Sequence, residues 1–146
     1  MRIRPHVLIV EDDPDVLLIL RQNLEASGLD TSLAADGVTA LRRIERERPD
    51  IVLLDLMLPV LDGWAVLSEL GNRAGVPPVI VCSAKQGPRD VARAQQLGAP
   101  EFVSKPFDVD QIVDTIAGVL LRFGWQPGVK ARPVANRFGV EGLEPA

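Results

Sequence analysis

The chain has 146 residues, enough for a single domain with one sizeable core and a short extension. Its residues are 47% apolar but only 4% aromatic, which predicts an aliphatic core. The formal net charge is −4, and this acidic balance argues against direct DNA binding. The single cysteine, Cys82, excludes an internal disulfide and fits a reducing compartment. No apolar run is long enough for a signal-peptide core or a membrane span, so we expect a cytoplasmic protein.

Five short apolar runs predict β-strands, and a longer segment of helical character follows each of them. Three of the runs are almost continuous in Val, Ile and Leu, as strands buried on both faces of a parallel sheet must be. In chain order the predicted strands are His6–Val10, Thr31–Ala34, Ile51–Leu54, Val79–Cys82 and Glu101–Val103.

Turn and capping residues delimit five predicted helices of about ten residues each. Their predicted starts are Pro14, Asp36-Gly37, Gly63, Arg89 and Asp108. The first four are predicted to stop at or before Gly28, Pro49, Gly75 and Gly98. In the fifth helix, apolar residues recur at helical spacing between Ile112 and Leu120.

Five β–α units in a row imply a parallel sheet with right-handed crossovers and helices on both faces. We predict an open, doubly wound sheet of the flavodoxin-like order 2-1-3-4-5, because a closed barrel would need eight units. This domain is predicted to span residues 1–123. Residues 124–146 hold four glycines and three prolines without periodicity, so we expect an extended or disordered tail and no separate output domain.

Carboxylates stand at the ends of two predicted strands that are neighbours in this order. Glu11, Asp12 and Asp13 follow the first strand and Asp55 follows the third, so both groups reach the crevice where such sheets bind ligands. Two carboxylates about 4 Å apart repel by roughly 4 kcal/mol at an effective dielectric constant near 20, so the cluster needs a cation or protons. Oxygen ligands of this kind suit Mg²⁺. The alternatives are a solvated acidic loop that caps the first helix and, for Asp55, a helix cap.

Two further polar residues complete a candidate phosphoryl-accepting site. Asp55 has apolar neighbours on both sides, and acting as a nucleophile toward phosphorus is one reason for a charge there. Ser83 ends the fourth predicted strand, and Lys105 precedes Pro106 after the fifth. Their hydroxyl and ammonium groups suit phosphate oxygens. Taken singly, Ser83 could cap a turn and Lys105 could be a surface lysine, so the prediction depends on the order and strand-end position of all the pieces.

Four motifs make the chain resemble the receiver domain of two-component response regulators over about residues 5–122. They are Val-Glu-Asp-Asp-Pro at 10–14, Leu-Leu-Asp-Leu-Met-Leu-Pro at 53–59 with Asp62-Gly63, Cys-Ser-Ala at 82–84, and Phe-Val-Ser-Lys-Pro-Phe at 102–107. The resemblance implies that a sensor histidine kinase or histidine phosphotransferase phosphorylates Asp55. It implies Mg²⁺ held by Asp12, Asp55 and the backbone carbonyl of Met57, with Glu11 acting through a water. It implies no enzyme activity beyond the domain's own aspartyl phosphorylation and dephosphorylation.

The resemblance also implies a switch. Phosphate would draw Ser83 and Lys105 inward and move Phe102 from an exposed to a buried position, which would reshape the face of helix 4, strand 5 and helix 5 for a downstream protein target. The alternative for Phe102 is a plain core residue. Met57 and Lys85 occupy positions that affect the lifetime of the acyl phosphate in this family. We hypothesise that Lys85 slows hydrolysis, and an unchanged dephosphorylation rate in Lys85→Ala would contradict this.

Helix 1 has a run of five apolar residues, 16–20, that cannot all face the sheet. Leu17, Leu20 and Leu24 form the predicted core stripe, which leaves Val16 and Ile19 near the surface. In resembling proteins the kinase or phosphotransferase docks there, and the alternative is a scatter of ordinary surface hydrophobes. The apolar fifth helix permits a homodimer without requiring one.

Other functions of this fold class fit the residues less well. A haloacid-dehalogenase-type phosphohydrolase needs a second acid where the chain has Met57. An FMN phosphate would be repelled by the acidic first loop, and no Walker phosphate loop occurs. The remaining rival is a receiver-like interaction module that works without phosphorylation. Its usual mark is a lost aspartate or lysine, and the chain keeps both Asp55 and Lys105.

Overall fold

The computed structural model describes residues 3–85 and 87–127. Its strands are β1 His6–Val10, β2 Asp30–Ala34, β3 Ile51–Leu54, β4 Val79–Ser83 and β5 Glu101–Ser104. Its helices are α1 Pro14–Ala26, α2 Gly37–Glu47, α3 Gly63–Gly71, α4 Pro88–Gln96 and α5 Val109–Arg122. The strands form one parallel sheet in the order β2-β1-β3-β4-β5, which confirms the predicted fold class and strand order. Of the predicted tail, residues 128–146 lie outside the described residues.

The helices begin where short acidic side chains can accept hydrogen bonds from free backbone N–H groups. Side-chain caps of this kind are made by Asp13 for α1, Asp36 for α2, Asp62 for α3 and Asp108 for α5. The cap of α4 is Gly87, which has no side chain to offer. Three of the capping aspartates belong to the loops that follow β1, β3 and β5, so the same loops that start helices also carry the polar residues beyond the sheet.

Alternation of side chains along the strands builds two core clusters, one on each face of the sheet. The first core cluster joins Leu8 and Val10 of β1 to buried residues of α2, α3 and α4. The second core cluster joins Val7 and Ile9 of β1 to buried residues of α1 and α5, and Trp125 packs against its edge. Each buried aliphatic side chain contributes roughly 1.5–3 kcal/mol relative to exposure, so these clusters fix the strand ends firmly.

The surface of α1 differs from the prediction. Leu20 and Leu24 are buried as expected, but Val16 is half-buried against the second core cluster, whereas Leu18 and Ile19 are 52% and 48% exposed. At about 100° per residue, position 16 lies only about 40° from position 20 around the helix axis, and position 18 lies on nearly the opposite side. The exposed apolar pair is therefore Leu18 and Ile19, and the prediction that Val16 belongs to the surface is wrong.

No helix in the described part of the chain has both the length and the apolar character that a membrane crossing requires.

Candidate functional site

The polar residues predicted from the sequence meet at the carboxyl edge of the sheet. Parallel pairing sets the ends of β1 and β3 level, with Val10 opposite Leu54. The ladder continues one step further, because the Asp55 amide donates to the Val10 carbonyl oxygen at 3.0 Å. On the other side, the Lys105 amide donates to the Ser83 carbonyl oxygen at 3.0 Å. Backbone pairing alone therefore brings the ends of four strands into one crevice.

The ammonium group of Lys105 connects two buried carboxylates across this crevice. Its Nζ atom donates to Glu11 Oε2 at 2.7 Å and to Asp55 Oδ2 at 3.1 Å. The Glu11 and Asp55 side chains are only 5% and 6% exposed, whereas the Lys105 side chain is 20% exposed. The peptide bond between Lys105 and Pro106 is cis. Residues separated by 94 and 50 positions in sequence thus form one ion-pair network.

The loop after β3 holds the Asp55 carboxylate in a fixed orientation. The Met57 amide donates to Asp55 Oδ1 at 3.1 Å, so each carboxylate oxygen has a donor. The Gly63 amide closes the loop by donating to the Leu56 carbonyl oxygen at 2.9 Å. A Cβ atom at Gly63 would lie 2.2 Å from the Asp55 carbonyl oxygen, closer than any side chain tolerates. Gly63, the glycine of the Asp-Gly pair, is therefore required for the start of α3 to lie against this loop.

The acidic residues after β1 separate into two roles. Glu11, Asp12 and Asp55 each offer an oxygen within 4.8 Å of the others, a group that could hold a metal ion. Asp12 is exposed, so the group opens to solvent on that side. Asp13 instead caps α1, and its Oδ1 accepts from the Asp15 amide at 2.9 Å. Three hard carboxylate oxygens, two of them buried, are a donor set that fits Mg²⁺ better than a soft metal.

Burial dominates the electrostatics of Glu11. It raises the pKa of this carboxyl to about 7, with a further contribution from the hydrogen bond and charge of Asp55, while the Lys105 ammonium acts in the opposite direction. For Lys105 itself, burial alone would lower the pKa, but the hydrogen bond to Glu11 and the charges of both carboxylates outweigh it and raise the pKa. The site therefore holds more negative charge than one ammonium can neutralise, which favours either a proton on Glu11 or a bound cation.

The remaining predicted residues surround this network. Ser83 is fully buried at the end of β4, and its Oγ accepts from the Lys85 amide at 3.2 Å. The Met57 side chain is 57% exposed, and Lys85 is exposed as well, so both side chains lie at the rim. Phe102 is half-buried against the first core cluster, between the exposed and core positions considered for it.

Two contacts, one in the site and one between the helices beside it, were not predicted from the sequence. One is the direct ion pair between Glu11 and Lys105, because the sequence assigned Glu11 only an indirect contact with a metal. The other is a cation–π contact in which Arg93 of α4 lies over the ring of Trp64, the second residue of α3. Neither has a local sequence signal, since each depends on how separate β–α units approach one another.

The family model for the response regulator receiver domain matches residues 7–117, which is most of the chain. The chain belongs to this family. Because the family match takes in all the strands that carry the site, an interaction module that works without phosphorylation is not favoured. The match begins in β1 and ends within α5, and it therefore includes every strand that contributes to the site.

Curated relatives of this receiver domain are named as transcriptional regulatory proteins. The chain is 39% identical over 120 residues to the transcriptional regulatory protein PrrA of Mycobacterium leprae, covering 82% of this chain and 52% of that protein. It is 35% identical over 116 residues to the alkaline phosphatase synthesis transcriptional regulatory protein PhoP of Bacillus subtilis, covering 80% and 48%. The chain thus spans about half the length of the curated relatives it matches.

Solved receiver domains share the fold. The signal receiver domain of a LuxO repressor protein from Vibrio parahaemolyticus superimposes with a TM-score of 0.78 at 30% identity, covering 82% of this chain and 92% of that one. The receiver domain of the Francisella response regulator 1452 has a TM-score of 0.79 at 29% identity, covering 82% and 98%.

Proposed function

We propose that this receiver domain accepts a phosphoryl group on Asp55 in a Mg²⁺-dependent reaction, and that the phosphorylated form presents a changed surface to a downstream protein. The observation that carries the proposal is the Asp55 carboxylate. It is buried, oriented by the Met57 amide and the Lys105 ammonium, and placed within a group of three carboxylates. The donor would be a phosphohistidine of a sensor histidine kinase or a histidine phosphotransferase.

In the proposed transfer, one Asp55 carboxylate oxygen forms a bond to phosphorus while the bond between phosphorus and the donor's imidazole nitrogen breaks. The electron pair of the broken bond returns to the imidazole, which takes up a proton. Lys105 would shift its hydrogen bonds from the carboxylates to a phosphoryl oxygen, and the buried Ser83 hydroxyl would donate to another. Mg²⁺ held by Glu11, Asp12, Asp55 and the Met57 carbonyl would neutralise charge on the phosphoryl group.

The domain's own residues supply positioning and charge, so we propose no enzymatic activity beyond its own phosphorylation and dephosphorylation. We propose that the receiver unit spans residues 1–123, that it acts in the cytoplasm, and that its output is contact with a protein rather than direct contact with DNA. A homodimer through the face of α4, β5 and α5 is one form that this output could take. The relatives named as transcriptional regulators support a role in signalling.

The test is uptake of phosphate from acetyl phosphate, followed by intact-protein mass spectrometry with Mg²⁺ and with EDTA. The wild type should gain one phosphoryl group only with Mg²⁺, and Asp55→Asn should gain none. Asp12→Asn should reduce the rate strongly, whereas Asp13→Asn is the matched control, because asparagine still caps α1 and the residue lies outside the carboxylate group. Labelling of Asp55→Asn, or no labelling of the wild type, would refute the proposal and favour an unphosphorylated interaction module.

A further inference from the structure

The guanidinium group of Arg93 on α4 lies over the indole ring of Trp64 on α3. Its Cζ atom is 4.2 Å from the ring centroid, within the range of a cation–π interaction. Trp64 is half-buried against the first core cluster, and Arg93 is exposed. We call this contact the Arg93–Trp64 stack. It joins two helices that follow different strands of the site.

The helix that carries Arg93 is weakly anchored. Ala94 is the one buried residue of α4, whereas α3 buries Val66, Leu67 and Leu70 in the first core cluster. The N-cap of α4 is Gly87, which provides no side-chain hydrogen bond. Beside the packing of Ala94 and of its C-cap residue Leu97 on the first core cluster, the Arg93–Trp64 stack is a further side-chain contact that fixes α4 against α3.

The tryptophan side of the stack is attached to the loop that carries Asp55. Trp64 directly follows Gly63, whose amide is bonded to the Leu56 carbonyl oxygen at 2.9 Å. The backbone at Gly63 also lies against the Asp55 carbonyl group so closely that no Cβ atom would fit. The backbone from which the indole side chain extends is therefore held against the same loop that positions the Asp55 carboxylate.

The arginine side of the stack is attached to Ser83. The Ser83 hydroxyl accepts from the Lys85 amide at 3.2 Å, and Lys85 lies in the connection between the end of β4 at Ser83 and the start of α4 at Pro88. A phosphoryl group on Asp55 that takes a hydrogen bond from this hydroxyl would draw the connection toward the site. The start of α3 would stay attached to Leu56, so α4 would move relative to Trp64.

We infer that Arg93 is a positioning residue, and that the Arg93–Trp64 stack holds α4 against α3 in the unphosphorylated domain and weakens when Asp55 carries a phosphoryl group. This inference rests on the proposed function of Asp55. A contact that is stronger in the unphosphorylated state opposes phosphorylation by the same free energy. Removing it should therefore raise the affinity for an acyl-phosphate mimic about two- to fivefold, the effect expected of an exposed cation–π contact.

The test is a titration with beryllofluoride and Mg²⁺, followed by fluorine NMR of the bound ion. All variants carry Trp125→Phe, so that Trp64 is the single tryptophan and its quenching by acrylamide reports the stack. The variants are Arg93→Ala, which removes the stack, Arg93→Lys, which keeps a cation, and Arg89→Ala. Arg89→Ala is the matched control, because it removes the same charge from an exposed position of the same helix.

Two results together would support the inference. Arg93→Ala should bind beryllofluoride about two- to fivefold more tightly than the parent, with Arg89→Ala at the parental value and Arg93→Lys between the two. Trp64 in the ion-free Arg93→Ala protein should be quenched as readily as in the parent with the ion bound.

Three other results would overturn it. If Arg93→Ala binds with parental affinity, the stack does not oppose phosphorylation. If Arg89→Ala tightens binding equally, the effect belongs to helix charge and not to the stack. If the parent binds no beryllofluoride at all, the proposed role of Asp55 fails and the inference fails with it, which separates this outcome from the first two.

Discussion

The buried carboxyl of Glu11 makes the stability of the metal-free domain depend on pH in a direction opposite to the usual one for acids. Its pKa in the folded chain is raised to about 7, chiefly by burial, from an ordinary value of 4.5. The folded state therefore keeps the Glu11 proton over a pH range in which the unfolded chain has lost it. The stabilisation is complete below about pH 4.5 and is lost as the pH rises through about 7.

The magnitude follows from the size of this shift. Between pH 5 and pH 8 the folded domain should lose about 2–3 kcal/mol of unfolding free energy through Glu11 alone. Glu11→Gln keeps the shape of the protonated side chain but cannot ionise. The difference in stability between this variant and the wild type should therefore grow by about 2–3 kcal/mol in favour of the variant across the same range.

Urea unfolding in EDTA at several pH values, followed by tryptophan fluorescence, measures this difference. The control is Glu101→Gln, since the Glu101 side chain is 41% exposed and pairs only with Arg122 among the described residues. The free energy of unfolding of this control should change with pH in the same way as that of the wild type. The reasoning is refuted if the free energies of unfolding of the wild type and Glu11→Gln show the same pH dependence. It is also refuted if the wild type gains stability relative to the variant as the pH rises.

Four further substitutions test how the site and the elements around it are held in place. Lys105→Met leaves two buried carboxylates without their counter-ion and should cost about 3 kcal/mol of stability at pH 8 in EDTA, part of which added Mg²⁺ should restore. Gly63→Ala places a Cβ atom 2.2 Å from a backbone oxygen and should cost about 2–3 kcal/mol, whereas Gly118→Ala in α5, with nothing within 4 Å, should gain about 0.5–1 kcal/mol. Val60 is exposed and has a φ of 67°, so Val60→Asn should gain about 1 kcal/mol. Urea unfolding measures the stability of all four variants.

Each of these predictions has a contradicting outcome. Lys85→Met is the control for Lys105→Met, because Lys85 is exposed at the rim, and equal losses in the two variants would show that the ion-pair network contributes nothing. Equal effects of alanine at Gly63 and Gly118 would mean that the β3–α3 loop can shift to accommodate the added methyl group without a loss of stability. For Val60, the control is Val60→Ala, which removes the β-branch but lacks the short polar side chain through which asparagine tolerates a left-handed backbone. A gain as large as that of asparagine would locate the effect in β-branching and not in the left-handed backbone.

Local patterns were sufficient to predict the architecture. The near-continuous aliphatic runs of Val7–Val10 and Ile51–Leu54 specify strands buried on both faces. Five β–α units are too few to close a barrel, so an open sheet is predicted. The helix starts at Asp36 and Asp108 were also predictable, because capping acts between residues two or three positions apart. Strand ends in a parallel sheet share one edge, so the meeting of residues 12, 55, 83 and 105 could be predicted as well.

The sequence by itself therefore determined which strand and loop each polar residue occupies. Only the tertiary structure decided which of the adjacent acids turns inward toward Lys105 and which one caps α1, because this depends on rotations of single side chains after the strands are aligned. The same holds for the exposure of Leu18, set by how α1 lies on the second core cluster, and for the approach of Arg93 to Trp64. The raised pKa of Glu11 has this origin too, since burial and neighbouring charge exist only once distant segments are packed together.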